Sequence, residues 1–283
     1  MLRKLFTLAV MAVLLSACSD KSGGDAAKNL MQLDTSTPQG AFMANIQAMK
    51  SNDIKSLMQT SLPPEEFERA KSEWAEKRVQ FTEAEKARFA ATMQMLTSEG
   101  AEEQIMTMIQ PQLEQMQAML PMMLMMANEE MISQQIDQAP IPANQKENAK
   151  AVLLAVVDWA KSADLASPEK ARQAVAAAIK TARALEIQSL DELETMTFDE
   201  ALQKVGQLMA GVKQALKVYD IDLDGMLDSI EVKDVKESGN TAELTVSFLF
   251  LGKPMEQKMQ MIKKDGRWVS APDIPDNSDM PQS

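Results

Sequence analysis

The sequence predicts an α+β protein: a large, mostly α-helical body followed by a C-terminal antiparallel β-meander of about four strands. Two observations carry this. Between Thr37 and Val218, apolar residues recur in steps of three and four, punctuated by capping residues and prolines. From about Tyr219 the period falls to two, most clearly at Ala242, Leu244, Val246, Phe248 and Phe250, with glycine-containing turns between the runs.

At the start of the chain, Arg3 and Lys4 precede an apolar run of 11 residues, Leu5 to Leu15. At about 1.5 Å per residue such a run covers only about half of a roughly 30 Å hydrocarbon core, so it reads as a secretion signal and not as a membrane span. It closes on Leu15-Ser16-Ala17-Cys18. This resembles the lipobox of bacterial lipoproteins: a branched apolar residue, two small residues, then the cysteine to be acylated. The resemblance implies removal of residues 1–17 as a signal peptide and lipidation of Cys18, with palmitate among the acyl chains. Ser19, and not Asp, follows the cysteine. By the same resemblance this favours the inner leaflet of the outer membrane, facing the periplasm. Asp20 leaves the inner membrane as the alternative. Residues 18–36 are polar and small, with Gly23-Gly24, and read as the lipidated tether.

The helical region, 37–218, begins at Thr37 as N-cap and Pro38 in the first turn, with Phe42, Ile46 and Met49 on one face. Asn52-Asp53 breaks that helix and caps a short one containing Ile54, Leu57 and Met58. Pro63-Pro64 opens a longer helix with Phe67, Trp74 and Val79. Thr82 with Glu85 forms a capping box for a helix through Phe89 and Met93, which Gly100 is expected to end. From Glu102 to about Gln138 runs a stripe of Ile105, Ile109, Leu113, Met116, Leu120, Leu124 and Met131. The face formed by Ile105, Ile109, Leu113, Leu120 and Leu124 is expected to be buried, and Pro111 and Pro121 to kink or divide the helix. Pro140 and Pro142 form a joint. Helices resume at about Asn144 to Ser162 and from Ser167-Pro168 to Leu185. Thr197 with Glu200 is a second capping box, opening a helix through Leu202, Val205, Leu208, Val212 and Leu216.

In the meander, 219–272, Ile230 and Val232 alternate with charged residues, and Glu237-Ser238-Gly239-Asn240 makes a turn. After the strand through Phe250, Gly252-Lys253-Pro254 turns the chain. Met255, Met259 and Met261 share one parity of the next strand, and Lys264-Asp265-Gly266 leads into Arg267-Trp268-Val269. The sheet is expected to pack with the first helices. Residues 273–283 read as a disordered tail.

The opening helix pair, Thr37 to Leu62, and the closing meander, Ile230 to Ser270, together resemble a class of bacterial lipoproteins with a cystatin-like or nuclear-transport-factor-two-like α+β domain. The carrying residues are the Pro38 start, the Asn52-Asp53 break, the Gly239, Gly252 and Asp265-Gly266 turns, and Trp268. These stretches cover about a quarter of the chain, and some 150 helical residues sit between them. The resemblance implies a curved sheet packed by helices, often with a pocket or a partner-binding face, and no catalytic residues.

Composition narrows the function. Removing the segment to Ala17 takes away two of the 29 basic residues and none of the 41 acidic ones, moving the net charge from −12 to −14. Such a surface repels phosphate backbones and anionic lipid heads, so no nucleic-acid role is expected, and membrane contact should come from the lipid. There is no histidine, which removes the usual Ser-His-Asp and Cys-His systems and the commonest zinc and copper(II) sites. Cys18 is the single cysteine, so no disulfide forms within the chain. The carboxylates of the helix around Glu65, Glu66, Glu68, Glu73 and Glu76 interleave with Arg69, Lys71, Lys77 and Arg78, the pattern of a solvated face.

Two features point to binding. Of the 24 methionines, 11 fall between Met93 and Met131. Thioethers suit copper(I), fill irregular cores, or form adaptable apolar surfaces for helices and unfolded chains. The uncharged run Ala118 to Ala127 is either a buried helix or a docking patch, with burial expected. The second feature is Asp220 to Glu231, DIDLDGMLDSIE, which fits D-x-D-x-D-G-x₅-E and resembles the calcium loop of EF-hands. The resemblance implies Asp220, Asp222 and Asp224 as oxygen ligands, Gly225 at the sharp turn, Met226 offering its carbonyl, Asp228 holding a water and Glu231 closing the site. Leu223 and the strand-like residues after Ser229 oppose this, and the alternative is a solvated acidic turn.

The function expected from the sequence is that of a non-enzymatic, membrane-anchored envelope lipoprotein binding a partner protein or an apolar ligand. The alternative is a calcium-binding or copper(I)-binding envelope protein.

Overall fold

The computed structural model describes residues 34–76, 80–141 and 143–271. The signal segment, Cys18, most of the tether, Val79, Pro142 and the C-terminal tail lie outside them. The architecture is α+β, with eleven helices followed by a four-stranded sheet among the described residues. None of these helices is long and apolar enough to cross a membrane.

Helix α1 (Pro38–Lys50) starts where expected: Thr37 Oγ1 accepts from the Gly40 N–H at 3.1 Å, and Pro38 occupies the first turn. Asn52 turns the chain in the left-handed region (φ 58°), and Asp53 caps α2 (Ile54–Ser61) by accepting from Ser56 N–H at 2.9 Å. Then follow α3 (Pro64–Glu76), α4 (Glu83–Thr97) with the Thr82–Glu85 capping box, and α5 (Ala101–Met126).

The sequence expectation is corrected at three points here. Pro111 and Pro121 both lie inside α5 without dividing it. The division comes at Ala127-Asn128, because the Asn128 side chain accepts from Met131 N–H at 2.9 Å and caps α6 (Glu129–Gln138). Helix α4 ends at Ser98, and Gly100 (φ 74°) instead opens α5. Along the predicted core face, Leu113 is buried, Ile105, Ile109, Leu120 and Leu124 are half-buried, and Met131 is exposed while its neighbour Ile132 is buried.

Helix α7 (Ala143–Ser162) packs on α6, and α8 (Pro168–Leu185) spans the predicted segment. A short helix α9 (Leu190–Thr195) follows, capped by Ser189 and Glu192. The long α10 (Phe198–Val218) opens with the Thr197–Glu200 box and packs against α8, α2 and α3. At its start Phe198 meets Phe67 edge-on (ring centroids 5.8 Å apart), and Trp74 Nε1 donates to the Met196 carbonyl at 2.9 Å. Helix α8 bridges α10 and α5, placing Ala171 and Val175 against Met106, Ile109, Leu113 and Met116.

A six-residue helix α11 (Leu223–Asp228) leads to the sheet. Strands β1 (Glu231–Ser238), β2 (Thr241–Phe250), β3 (Lys253–Lys264) and β4 (Arg267–Ser270) form an antiparallel meander in sequence order. Leu251-Gly252 and Asp265-Gly266 link their strands with both residues at positive φ, the geometry that two-residue hairpin turns require and that favours Asp-Gly. Strand β2 sends Ala242, Leu244 and Val246 inward. With Met261 and Trp268 they form a core closed by Ala41 and Phe42 of α1, so the first helix covers one face of the sheet.

Candidate functional site

The most exposed apolar surface is on α5 and α6. Met108, Met119, Met122, Met123, Met125, Met126 and Met131 are all solvent-facing, Met125 to 77%. At about 100° per residue, Met108, Met119, Met122 and Met126 fall within about 60° of one another on the helix surface. They lie opposite the buried Met106 and Leu113 that face α8. Helix α5 therefore carries two apolar stripes, one serving the core and one serving no core, the outer one interrupted by Gln115 between Met108 and Met119. The expectation that Ala118–Ala127 is buried is thus corrected: only Leu120, Leu124 and Ala127 of that run are half-buried, and the rest is exposed. The reason is tertiary, since α8 covers one side of α5 only and α6 turns away at Asn128. Contiguous exposed apolar area on a protein surface marks an interaction site, and flexible thioethers allow such a surface to repack around different shapes.

The acidic segment at the end of α10 is organised differently. Helix α10 ends at Val218, and Asp220 (φ 65°) turns the chain with its carboxylate 2.7 Å from Lys170 Nζ. Asp222 caps α11: one oxygen accepts from Gly225 N–H at 3.0 Å, the other from Lys217 Nζ at 2.7 Å. Asp224 accepts from Lys213 Nζ at 2.6 Å. Asp228 pairs with Lys50, and Glu231, the first residue of β1, pairs with Lys233. The Met226 carbonyl accepts from Ser229 within the helix end. The six residues predicted from the loop motif are thus each held by a different partner. Among the described residues, no group of three or more His, Cys, Asp or Glu side chains is placed to hold a metal ion. Gathering these carboxylates on one cation would require release of the lysines.

The arrangement has a structural consequence of its own. Lys213 is 8% exposed, yet its Nζ is fully engaged, donating to the Met49 and Lys50 carbonyls at 2.8 and 2.9 Å as well as to Asp224. It ties the C-terminus of α1 to α10 and α11, a favourable place for a cation at a helix end. The ammonium of Lys217 hydrogen-bonds the Asp222 carboxyl, which with the Gly225 amide holds its pKa below the ordinary carboxylate value. A carboxyl whose pKa is depressed by folding stabilises the fold above its unfolded pKa, and that contribution is lost as pH falls through the folded value. Asp222→Ala should therefore lower stability by about 1 kcal/mol at neutral pH through loss of the cap. In thermal melts from pH 7 to pH 3, the difference from the parent protein should shrink at the acid end.

A cavity of about 440 Å³ lies where α1, α2 and α3 meet β4. Trp268 and Phe67 form apolar walls, with Thr60, Glu68 and Arg267 also lining it. Comparison with protein-family models, with curated proteins and with solved structures finds no match for this chain.

Proposed function

We propose that the protein is a non-enzymatic lipoprotein of the cell envelope, anchored through Cys18 and facing the periplasm, that docks an apolar segment of a partner protein on α5 and α6. The observation that carries this reading is the second apolar stripe of α5, made of methionines and left without a core to fill. Absence of histidine from the sequence supports binding over the common nucleophilic chemistries. The outer-membrane position rests on Ser19 after the acylated cysteine.

The anchor is tested by fractionation. Cys18→Ser should move the protein from the carbonate-washed membrane pellet to the soluble fraction, and retention in the pellet would end the lipoprotein reading. Docking is tested with a synthetic amphipathic helical peptide with a leucine face and an uncharged polar face. The processed protein should bind it with a Kd in the micromolar range, about −8 kcal/mol. Met122→Gln with Met126→Gln should weaken binding about tenfold while leaving Tm unchanged. Equal binding by parent and variant would remove this surface from consideration.

A second reading, copper(I) binding, is favoured by the spacing of Met119, Met122 and Met126 along one stripe, which presents soft ligands on a single face. Competition with a copper(I) chelator under reducing conditions tests it: the same double variant should lose the metal.

A further inference from the structure

We infer that the segment docked on the methionine surface is cationic: an amphipathic helix whose polar edges carry lysine or arginine. This rests on the docking reading above and adds the charge of the partner. From Phe89 to Gln145, a stretch of 57 residues holding all of α5 and α6, there is no lysine or arginine, and there are seven acidic residues. Two of them, Glu102 and Glu103, share the single guanidinium of Arg172 at 2.8 and 2.6 Å, far along α5 from the methionine cluster. Glu129 meets Lys150 at 3.4 Å and remains 70% exposed. Glu114 and Glu130 are exposed and pair with no cation among the described residues, whereas the Asp137 carbonyl accepts from the Lys146 ammonium.

Their placement frames the apolar patch. Glu114 lies three turns before Met125 and within about 20° of it around the helix. Glu129 and Glu130 occupy the first turn of α6, directly after the Met125-Met126 end of α5 and before Met131. The negative field at that turn is therefore continuous with the thioether surface. Elsewhere the protein interleaves its charges: the acidic face of α3 alternates with basic residues, and the carboxylates from Asp220 to Glu231 each hold a lysine. An apolar strip edged by one unneutralised sign is complementary to an apolar strip edged by the other. Such complementarity raises the association rate and rejects acidic partners, with the advantage screened by salt. A helix suits the strip because Met108, Met119, Met122 and Met126, with Gln115 between the first two, follow one face over about 27 Å, matched by side chains at i, i+3, i+4 and i+7 of an opposing helix. Anionic lipid is disfavoured by the same charges.

The test uses the processed full chain and three helical peptides sharing one leucine face, with polar faces of lysine, glutamine or glutamate. In 50 mM salt the lysine peptide should bind at least tenfold more tightly than the glutamine peptide, and the glutamate peptide more weakly than both. In 500 mM salt the lysine advantage should fall below about threefold. Glu114→Gln with Glu130→Gln should weaken the lysine peptide about fivefold and leave the glutamine peptide unchanged. Equal binding of lysine and glutamine peptides, both lost in the Met122/Met126 variant, would overturn the charge assignment and leave docking standing. Lysine-peptide binding that is unchanged in the methionine variant would be surface electrostatics alone and would overturn the proposal. If no peptide binds, docking and charge assignment fall together.

Discussion

Trp268→Ala should destabilise the protein by about 3–5 kcal/mol, the range found when a large buried aromatic is truncated. Trp268 is 2% exposed, although it sits on the four-residue edge strand β4. Its burial comes from the other side: α1 lays Ala41 and Phe42 over the sheet, and the indole fills the space between them, Leu244 and Met261. The indole Nε1 donates to the Ser36 carbonyl at 3.1 Å, tying the residues just before α1 to the last strand. Lys263 Nζ stands 5.6 Å from the ring centre, adding a cation–π contact. Truncation would thus open the core, leave the Ser36 carbonyl without its donor and widen the 440 Å³ cavity that the ring walls. Chemical denaturation followed by circular dichroism reads the loss. Trp268→Phe should recover most of it, since the apolar volume returns and only the hydrogen bond is missing. A loss below about 1 kcal/mol for the alanine variant would mean that α1 does not seal the sheet, for then the cavity term would be absent.

The contrast between this sheet and the methionine surface shows what the sequence made legible. The sheet could be read because its signals are local. Ala242, Leu244 and Val246 alternate strictly, and Asp265-Gly266 demands a hairpin, so strand order and inward face followed without knowledge of any partner. Capping boxes at Thr82 and Thr197 were equally local, and both helices start there. The two short helices were harder. Ser189 and Glu192 do form a box, but the six residues of α9 are too few to show a period. At α11 the aspartates that match a cation loop act as a cap and as lysine partners, because a carboxylate accepts from an N–H as readily as it binds a cation. The surface of α5 was illegible for a different reason. Both of its stripes are apolar, so amphipathicity cannot decide which faces inward. That is settled by small residues on another helix, Ala171 of α8 above all, which admit Leu113 and Met106 closely. One trace was present: the core stripe mixes Ile, Leu and Met, whereas the apolar residues of the solvent stripe, Met108, Met119, Met122 and Met126, are all methionine, with Gln115 among them.

Gly206 carries the second large prediction. It lies in the middle of α10, where alanine would ordinarily stabilise a helix by about 1 kcal/mol. Here the sign should reverse. A Cβ at this position would stand 2.3 Å from the backbone oxygen of Asn52, and backbone cannot swing aside as a side-chain tip can. Asn52 is itself constrained: its φ is 58°, it joins α1 to α2, and Asp53 after it caps α2. Moving it would disturb the ends of both helices that frame the cavity and would strain the Lys213 tie to the Met49 and Lys50 carbonyls. Overpacking of this kind costs about 1–3 kcal/mol. Gly206→Ala should therefore lose about 1 kcal/mol net, and Gly206→Val, with a second methyl and poorer helix propensity than alanine, about 3 kcal/mol. Gly100→Ala supplies the comparison, because a Cβ there meets open space and only the positive φ is strained. Denaturant midpoints at constant m-value would rank the three variants. A stabilised Gly206→Ala would show that α10 can draw back from the α1–α2 junction, so that the close approach does not hold the helical body against the sheet-bearing helices.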